Sequence, residues 1–395
     1  MMPPAKAPAD RQHRSGGELR ILIVGAGIAG ASLAALLAQG GGRPMVVERQ
    51  PERPAAGYML GLLPLGGRVI DRLGLRDAYL EHSCPMRRYV FHGADGAPLK
   101  DISLERIVAR FGAYRGIERG LLLDLLRSAC GADAIRYGRT VQSLEDTGNE
   151  VRVRFDNGSV DTFDLVVGAD GMHSDTRHRI LNDQEVRPWH TGWGGWVFWI
   201  PPLAGENDTY REFWGAGYGV GLYPVRDRCG IFAAGRVSDL ADRPAAETLE
   251  RLHARMPDGV FRTALERVDP DDEGFFWEME DRRAAHWSQG RTVLLGDAAT
   301  GFLPTAGVGA SMAMDGAAAL ADELLRSENG RLDETLARFE RRQRPRAEAT
   351  QANSRRLARF MFVNSRPGAA LRDIVTRFYP ADWMLRDIER VMEER

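Results

Sequence analysis

The spacing of apolar residues along this chain changes period several times, and each change predicts an element. Residues 19–24, LRILIV, form a nearly unbroken apolar run, the mark of a parallel strand buried on both faces. A helix follows from Ile28 to Gln39, and PMVVER at 44–49 supplies a second buried strand, so the segment reads as strand, glycine turn, helix, strand. Residues 63–82 group their apolar positions on one helical side. Residues 86–104 alternate around Asp95-Gly96, a hairpin signal. A helix spans 116–131 and stops at Gly131. Residues 134–170 read as a meander whose clearest turn is Asp156-Asn157-Gly158. From 186 to 278 the chain is strand-rich and aromatic, with a helical insert at 245–256. A parallel-type strand returns at 291–296, and helices fill 309–326 and most of 332–395.

This order predicts an α/β fold, with a Rossmann-like dinucleotide-binding domain interleaved with a β-sheet-rich domain, plus C-terminal helices. The expected divisions are a disordered tail at 1–18, a discontinuous nucleotide domain at 19–85, 116–185 and 279–330, a β-rich domain at 86–115 and 186–278, and a helical segment at 331–395. At 395 residues and 44% hydrophobic content, the chain exceeds what one core usually absorbs. A formal charge of −2 offers no basic field for nucleic acid. Cys84, Cys130 and Cys229 are too few and too far apart for a disulfide framework or a zinc site, and they fit a reducing cytoplasm. The histidines show no ligand spacing, so no metal is expected. The apolar stretch at 21–38 suggests a membrane span by length. Its GxGxxG glycines, and the strand after it, argue instead for a buried strand turning into a buried helix.

Three segments carry chemistry. In GAGIAG (25–30), Gly25 permits a tight turn, Gly27 lets backbone approach a pyrophosphate, and Gly30 lets the helix pack on the strand. Phosphates would then meet the positive end of the helix. Glu48 ends the second strand at the offset expected of a ribose-binding acid. This motif alone does not separate FAD from NAD(P). DLVVGADGMHSDTR (164–177) and GRTVLLGDAATGFLPTAGVGASMAMDG (290–316) each set a carboxylate where a parallel strand ends. Asp297 there either accepts hydrogen bonds from ligand hydroxyls or caps a helix.

Together these segments strongly resemble the class A flavoprotein monooxygenases, the para-hydroxybenzoate hydroxylase-like family of FAD-dependent aromatic hydroxylases, over residues 19–365. The resemblance implies FAD as cofactor, NADPH or NADH as reductant, and a Rossmann-like FAD-binding domain interleaved with a substrate-binding sheet. By position, Gly25, Gly27, Ile28, Ala29, Gly30, Glu48 and Arg49 would hold the ADP half. Arg119 would start a helix near the flavin, and Asp170 and Gly171 belong to the motif that touches both FAD and the nicotinamide nucleotide. Gly296 and Asp297 would meet the ribityl chain, with Pro304, Gly307, Val308, Gly309 and Ala310 beside the isoalloxazine. Thr300 stands where the family commonly has His, and Ser311 where it often has Asn.

The implied reaction delivers one oxygen atom of O2, through a flavin C4a-hydroperoxide, into an aromatic or polyketide-like apolar small molecule. Hydroxylation leads, with epoxidation and Baeyer–Villiger insertion open. The cofactor carries the hard chemistry, so no catalytic side chain is assigned. Trp193, Trp196, Trp199, Phe213, Tyr223 and Pro304 are the expected substrate wall, although alternating aromatics on a sheet also serve as core. His190 and His92 are candidates to tune a phenol. Rival readings are a flavin-dependent halogenase, which would need Lys100 near the substrate, an isoprenoid double-bond reductase on the same fold, and a non-catalytic flavin-binding protein. GWGGWVFWIP (192–201) misses the spacing of the halogenase motif. The expected partners are a small molecule and O2, in a monomer or homodimer, the arginine-rich 341–360 being either a solvated face or an interface.

Overall fold

A computed structural model describes residues 19–52, 57–327 and 331–393; the expected tail at 1–18 lies outside them. The apolar runs Ile21–Val24, Leu165–Gly168 and Thr292–Leu294 lie side by side as parallel strands with every residue buried, which is why they do not alternate. They form the middle of a six-stranded sheet that continues through Met45–Glu48 to Ile135–Tyr137 on one side, with Ser288–Gln289 at the other edge. Helices Ile28–Gln39 and Gly309–Arg326, both rich in alanine, pack together on one face. The other face, through Leu22, Val24, Val47 and Val166, packs on a small antiparallel sheet of Val141–Asp146, Val151–Phe155 and Val160–Phe163. The predicted meander is thus shared: its outer strands join the parallel sheet and its middle three make their own.

A second, seven-stranded sheet runs Phe275–Ala284, Val186–Ile200, Cys229–Arg236, Tyr218–Pro224, Thr209–Trp214, Arg88–His92 and Pro98–Ser103. Helices Ala245–Arg255 and Val260–Leu265 bury one of its faces through Phe198, Phe213, Leu222 and Ile231. The opposite face looks towards the parallel sheet.

Two predicted helices differ. Residues 63–82 divide into Pro64–Arg72 and Arg76–Glu81 because Gly74, at φ 72°, turns the chain between them. Residues 116–118 are not helical: Arg115–Glu118 is a strand between Met59–Leu62 and Ser83–Pro85, and the helix begins at Arg119. Pairing with distant strands overrides local propensity there.

The C-terminal helices Leu332–Met361, Arg366–Phe378 and Ala381–Glu393 close the molecule. Arg346 bonds Asp315 at 2.7 Å, and Arg355 grips the fully buried Asp281 with two hydrogen bonds. Arg372, 3% exposed, donates to the carbonyls of Trp214 and Gly215. These arginines of the basic stretch and beyond therefore serve intramolecular contacts. Among the described residues, no helix is long and apolar enough to cross a membrane.

Candidate active site

Strand ends and helix starts of the parallel sheet face the seven-stranded sheet across a cavity of about 1400 Å³. Such carboxyl ends of strands are where α/β sheets present ligands. Gly27, Ile28 and Ala29 line it from one helix, and Gly307, Val308, Gly309 and Ala310 from another. Both helices open uncapped: neither Gly27 nor Val308 offers a side-chain cap, and neither first turn holds an acid. Each end leaves up to about four N–H groups without an intrahelical acceptor and carries partial positive charge. A side chain at Gly27 would meet nothing within 4 Å, so its backbone is open to a ligand. Gly30 is required by packing instead, since a Cβ there would sit 1.9 Å from the Gly25 carbonyl oxygen.

Asp297 lies on the cavity wall between these two helix ends. It caps no helix, and among the described residues no hydrogen bond holds its carboxylate. Burial pushes its pKa up to about 6, against the pull of Arg119 and Arg177. Arg119, at the start of its helix, also lines the cavity and lies 5.8 Å from the Tyr58 ring centroid. Arg177 is buried and donates to the carbonyls of Ala298 and Met172, tying the two strand-end loops together.

The remaining sites predicted for the cofactor divide. Arg49, Gly171 and Pro304 line the cavity. Gly25, Gly30, Glu48, Asp170 and Gly296 are not among the lining residues but adjoin ones that are or support their turns. The Glu48 carboxylate accepts from the backbone N–H of Ala26 at 2.8 Å and of Gln50 at 2.9 Å, bracing the glycine turn. Asp170 accepts from the Ser174 hydroxyl and the Thr176 N–H, shaping its own loop. At the two positions that depart from the family pattern, the Ser311 hydroxyl accepts from the Leu63 N–H at 3.0 Å, and the buried Thr300 hydroxyl has no partner.

The far end of the cavity is aromatic, but mostly not through the expected residues. Along Thr209–Trp214 alternate side chains face opposite ways. Tyr210, Glu212 and Trp214 line the cavity, while Phe213, 0% exposed, faces the helices on the other side. Trp196 packs on that outer side as well. Trp193 stacks on Phe362 at 4.7 Å, and the Trp199 indole donates to the Gly57 carbonyl under the Arg228 guanidinium, both away from the cavity lining. Of the expected wall, only Tyr223 and Pro304 line the cavity. Tyr89, Phe91, Tyr114 and Phe232 complete it, and Phe360, Met361, Val375 and Tyr379 of the C-terminal helices cover it.

At the centre of this aromatic end sits a carboxylate that sequence reasoning missed. Glu212, 6% exposed, accepts from the Tyr89 hydroxyl, the Tyr223 hydroxyl at 2.6 Å and the Trp214 indole N–H at 3.0 Å. Burial raises its pKa, and the three donors oppose that rise. The signal available was an acid flanked at both i±2 positions by aromatics in TYREFW. His92 lies off the cavity, bonded to Gly96 and Arg211, and His190 is exposed beside Glu280. Lys100 donates to the Arg377 carbonyl, also off the cavity.

The family model described as FAD binding domain matches residues 18–354. A 3-amino-4-hydroxybenzoate 2-monooxygenase of Streptomyces cremeus is 33% identical over 366 residues, covering 90% of this chain and 91% of its own. A 6-hydroxynicotinate 3-monooxygenase of Pseudomonas fluorescens is 30% identical over 316 residues, 76% and 81% of the two chains. Among solved structures, Klebsiella pneumoniae HpxO in complex with FAD and uric acid superposes with a TM-score of 0.85 at 22% identity, covering 95% and 96% of the two chains. Pseudomonas aeruginosa PqsL superposes at 0.79 and 24%, covering 90% and 99%. At those identities the two structures speak for the fold.

Proposed function

The chain belongs to the FAD-dependent aromatic monooxygenases, and from that premise we propose that it hydroxylates a small aromatic ring held at the Tyr- and Trp-lined end of its cavity. The observation that carries this reading is one continuous cavity with two chemically distinct ends: uncapped helix termini with an unsatisfied carboxylate at one, an aromatic wall at the other.

The residues at the first end fit FAD. Gly27, Ile28 and Ala29 would donate backbone N–H groups to the diphosphate, with the open face of Gly27 admitting it. Glu48, already bracing the turn, would offer its remaining acceptor sites to the ribose, and Arg49 a cation beside it. Asp297 would accept from ribityl hydroxyls, replacing the hydrogen bonds it lacks. The N-terminus of Gly309–Arg326 would stabilise negative charge on the ring that Pro304, Gly307 and Val308 flank, by up to ~2 kcal/mol. Gly171 and Asp170 form the loop nearest the reductant in this reading. When bound, FAD supplies reduction by NAD(P)H and activation of O2.

The chain's own work is then orientation and exclusion of water. The aromatic wall holds the ring, and helices Leu332–Met361 and Arg366–Phe378 cover it. In this reading 19–85, 116–185 and 279–330 serve the cofactor, and 86–115 and 186–278 serve the substrate. A diffusible reductant suits a cytoplasmic enzyme acting as monomer or homodimer. The test is a purified yellow protein screened against phenols and aminoarenes for accelerated NAD(P)H oxidation, with one 18O atom from labelled O2 in the product. Equal oxidation with every compound, or turnover without O2, would overturn the reading.

A further inference from the structure

The relatives named above act on aromatic acids, whose ring carboxylates call for a cationic or donor-rich partner. This cavity presents the reverse at its aromatic end. The carboxylate set among the phenols and indole there, among the described residues, is Glu212, an acceptor, and the three donors that hold it are neutral. Among the described residues, the cationic side chains that line the cavity are Arg49 and Arg119 beside the glycine turn and Asp297, and Arg356 on helix Leu332–Met361, exposed and bonded to Asn353, with the imidazole of His173 beside Glu280; none of them is bonded to Glu212. Among the described residues, the side-chain partners of Glu212 are Tyr89, Tyr223 and Trp214, with no cation paired to it.

An ionised carboxylate offers roughly four acceptor sites. Tyr89 and Tyr223 both donate to one oxygen of Glu212 and Trp214 donates to the other, which leaves, among the described residues, one acceptor site unfilled on a residue that lines the cavity. Resting on the aromatic-hydroxylase reading, we propose that Glu212 sets substrate class: it accepts a hydrogen bond from a phenolic hydroxyl or an amino group of the ring and rejects rings that bring a carboxylate to that end. Two carboxylates in one desolvated site repel strongly, so the rejection follows from charge. Tyr89 and Tyr223 are positioning residues, fixing the carboxylate against the sheet.

The test compares binding of 2-aminophenol with 3-amino-4-hydroxybenzoate, its carboxylated counterpart, to the FAD-loaded protein. Quenching of tryptophan fluorescence reports binding without turnover, because Trp214 lines the site. Wild type is expected to favour 2-aminophenol by at least roughly tenfold. Glu212→Gln should shrink that ratio towards one, whereas Tyr223→Phe, which keeps the charge, should preserve it. A thermal melt checks that each variant folds; if Glu212→Gln does not, the wild-type and Tyr223→Phe ratios decide. The proposal falls if the carboxylated ring binds as well to wild type, if Glu212→Gln leaves the ratio unchanged, or if Tyr223→Phe abolishes it. Failure of every ring to accelerate NAD(P)H oxidation would sink the hydroxylase reading instead, and the binding ratio would still judge Glu212.

Discussion

Asp297 shows how one residue's energetics foretell its partner. Its carboxyl is raised from the ordinary 3.8 to about 6, mainly by burial. The folded state therefore holds this proton more tightly than the unfolded chain does. The corresponding stability is present below about pH 4 and is lost as pH rises through about 6, amounting to about 3 kcal/mol. In flavin-free protein, Asp297→Asn should gain stability over wild type between pH 4 and pH 7 by up to that amount, read by chemical denaturation at each pH. The same substitution should weaken FAD retention, measured by dialysis and absorbance, because an amide is a poorer acceptor for hydroxyls. An Asp297→Ala variant that is less stable than wild type yet retains flavin normally would return the residue to a structural role.

At the scale of elements, the two uncapped helix starts and the strand parity matter most. Gly30→Ala places a methyl carbon 1.9 Å from the Gly25 carbonyl, so helix Ile28–Gln39 must shift off its strand. Loss of FAD content in the purified variant, with near-native circular dichroism, is the expected result; full flavin loading would show that the contact yields cheaply. Parity explains why the aromatic wall was only partly legible. TYREFW reads as a strand from its composition, but a shift of one residue exchanges the cavity face for the helix-covered face. Composition therefore points to Phe213, whereas pairing turns Tyr210, Glu212 and Trp214 to the cavity and Phe213 to the helices. The helix at 119–128 shows the complementary case: its sequence pattern is strong, and only its first three predicted residues were claimed by a ladder with Met59–Leu62.

For the whole molecule, the C-terminal helices join the two sheets and cover the cavity. Arg372 is the clearest link, reaching from helix Arg366–Phe378 to the carbonyls of Trp214, Gly215 and Met361. Arg372→Met leaves those acceptors unsatisfied and should cost on the order of 2 kcal/mol. It should also raise KM for the aromatic substrate with FAD content unchanged, a pattern that hydrogen exchange over 366–378 would accompany. Arg355→Met strands the buried Asp281 and should destabilise the fold by on the order of 3 kcal/mol. An unshifted melting temperature would show that water or Arg359 takes its place.

The cavity end that gathers the glycine turn, the uncapped helix starts and Asp297 was legible in the sequence because its physics is local. A glycine that must admit a carbonyl, a helix that must begin without a cap, and an acid at the end of an apolar run all lie within a few residues of one another. The aromatic end was decided by tertiary structure. Its wall draws on four strands, Arg88–His92, Thr209–Trp214, Tyr218–Pro224 and Cys229–Arg236, under helices Leu332–Met361 and Arg366–Phe378, and pairing register selects which alternate side chains meet there. Burial of Glu212 among Tyr89, Tyr223 and Trp214 exists only once residues more than a hundred positions apart share one sheet. Desolvation and charge in that enclosure arise from the assembled sheet, and no local pattern encodes them.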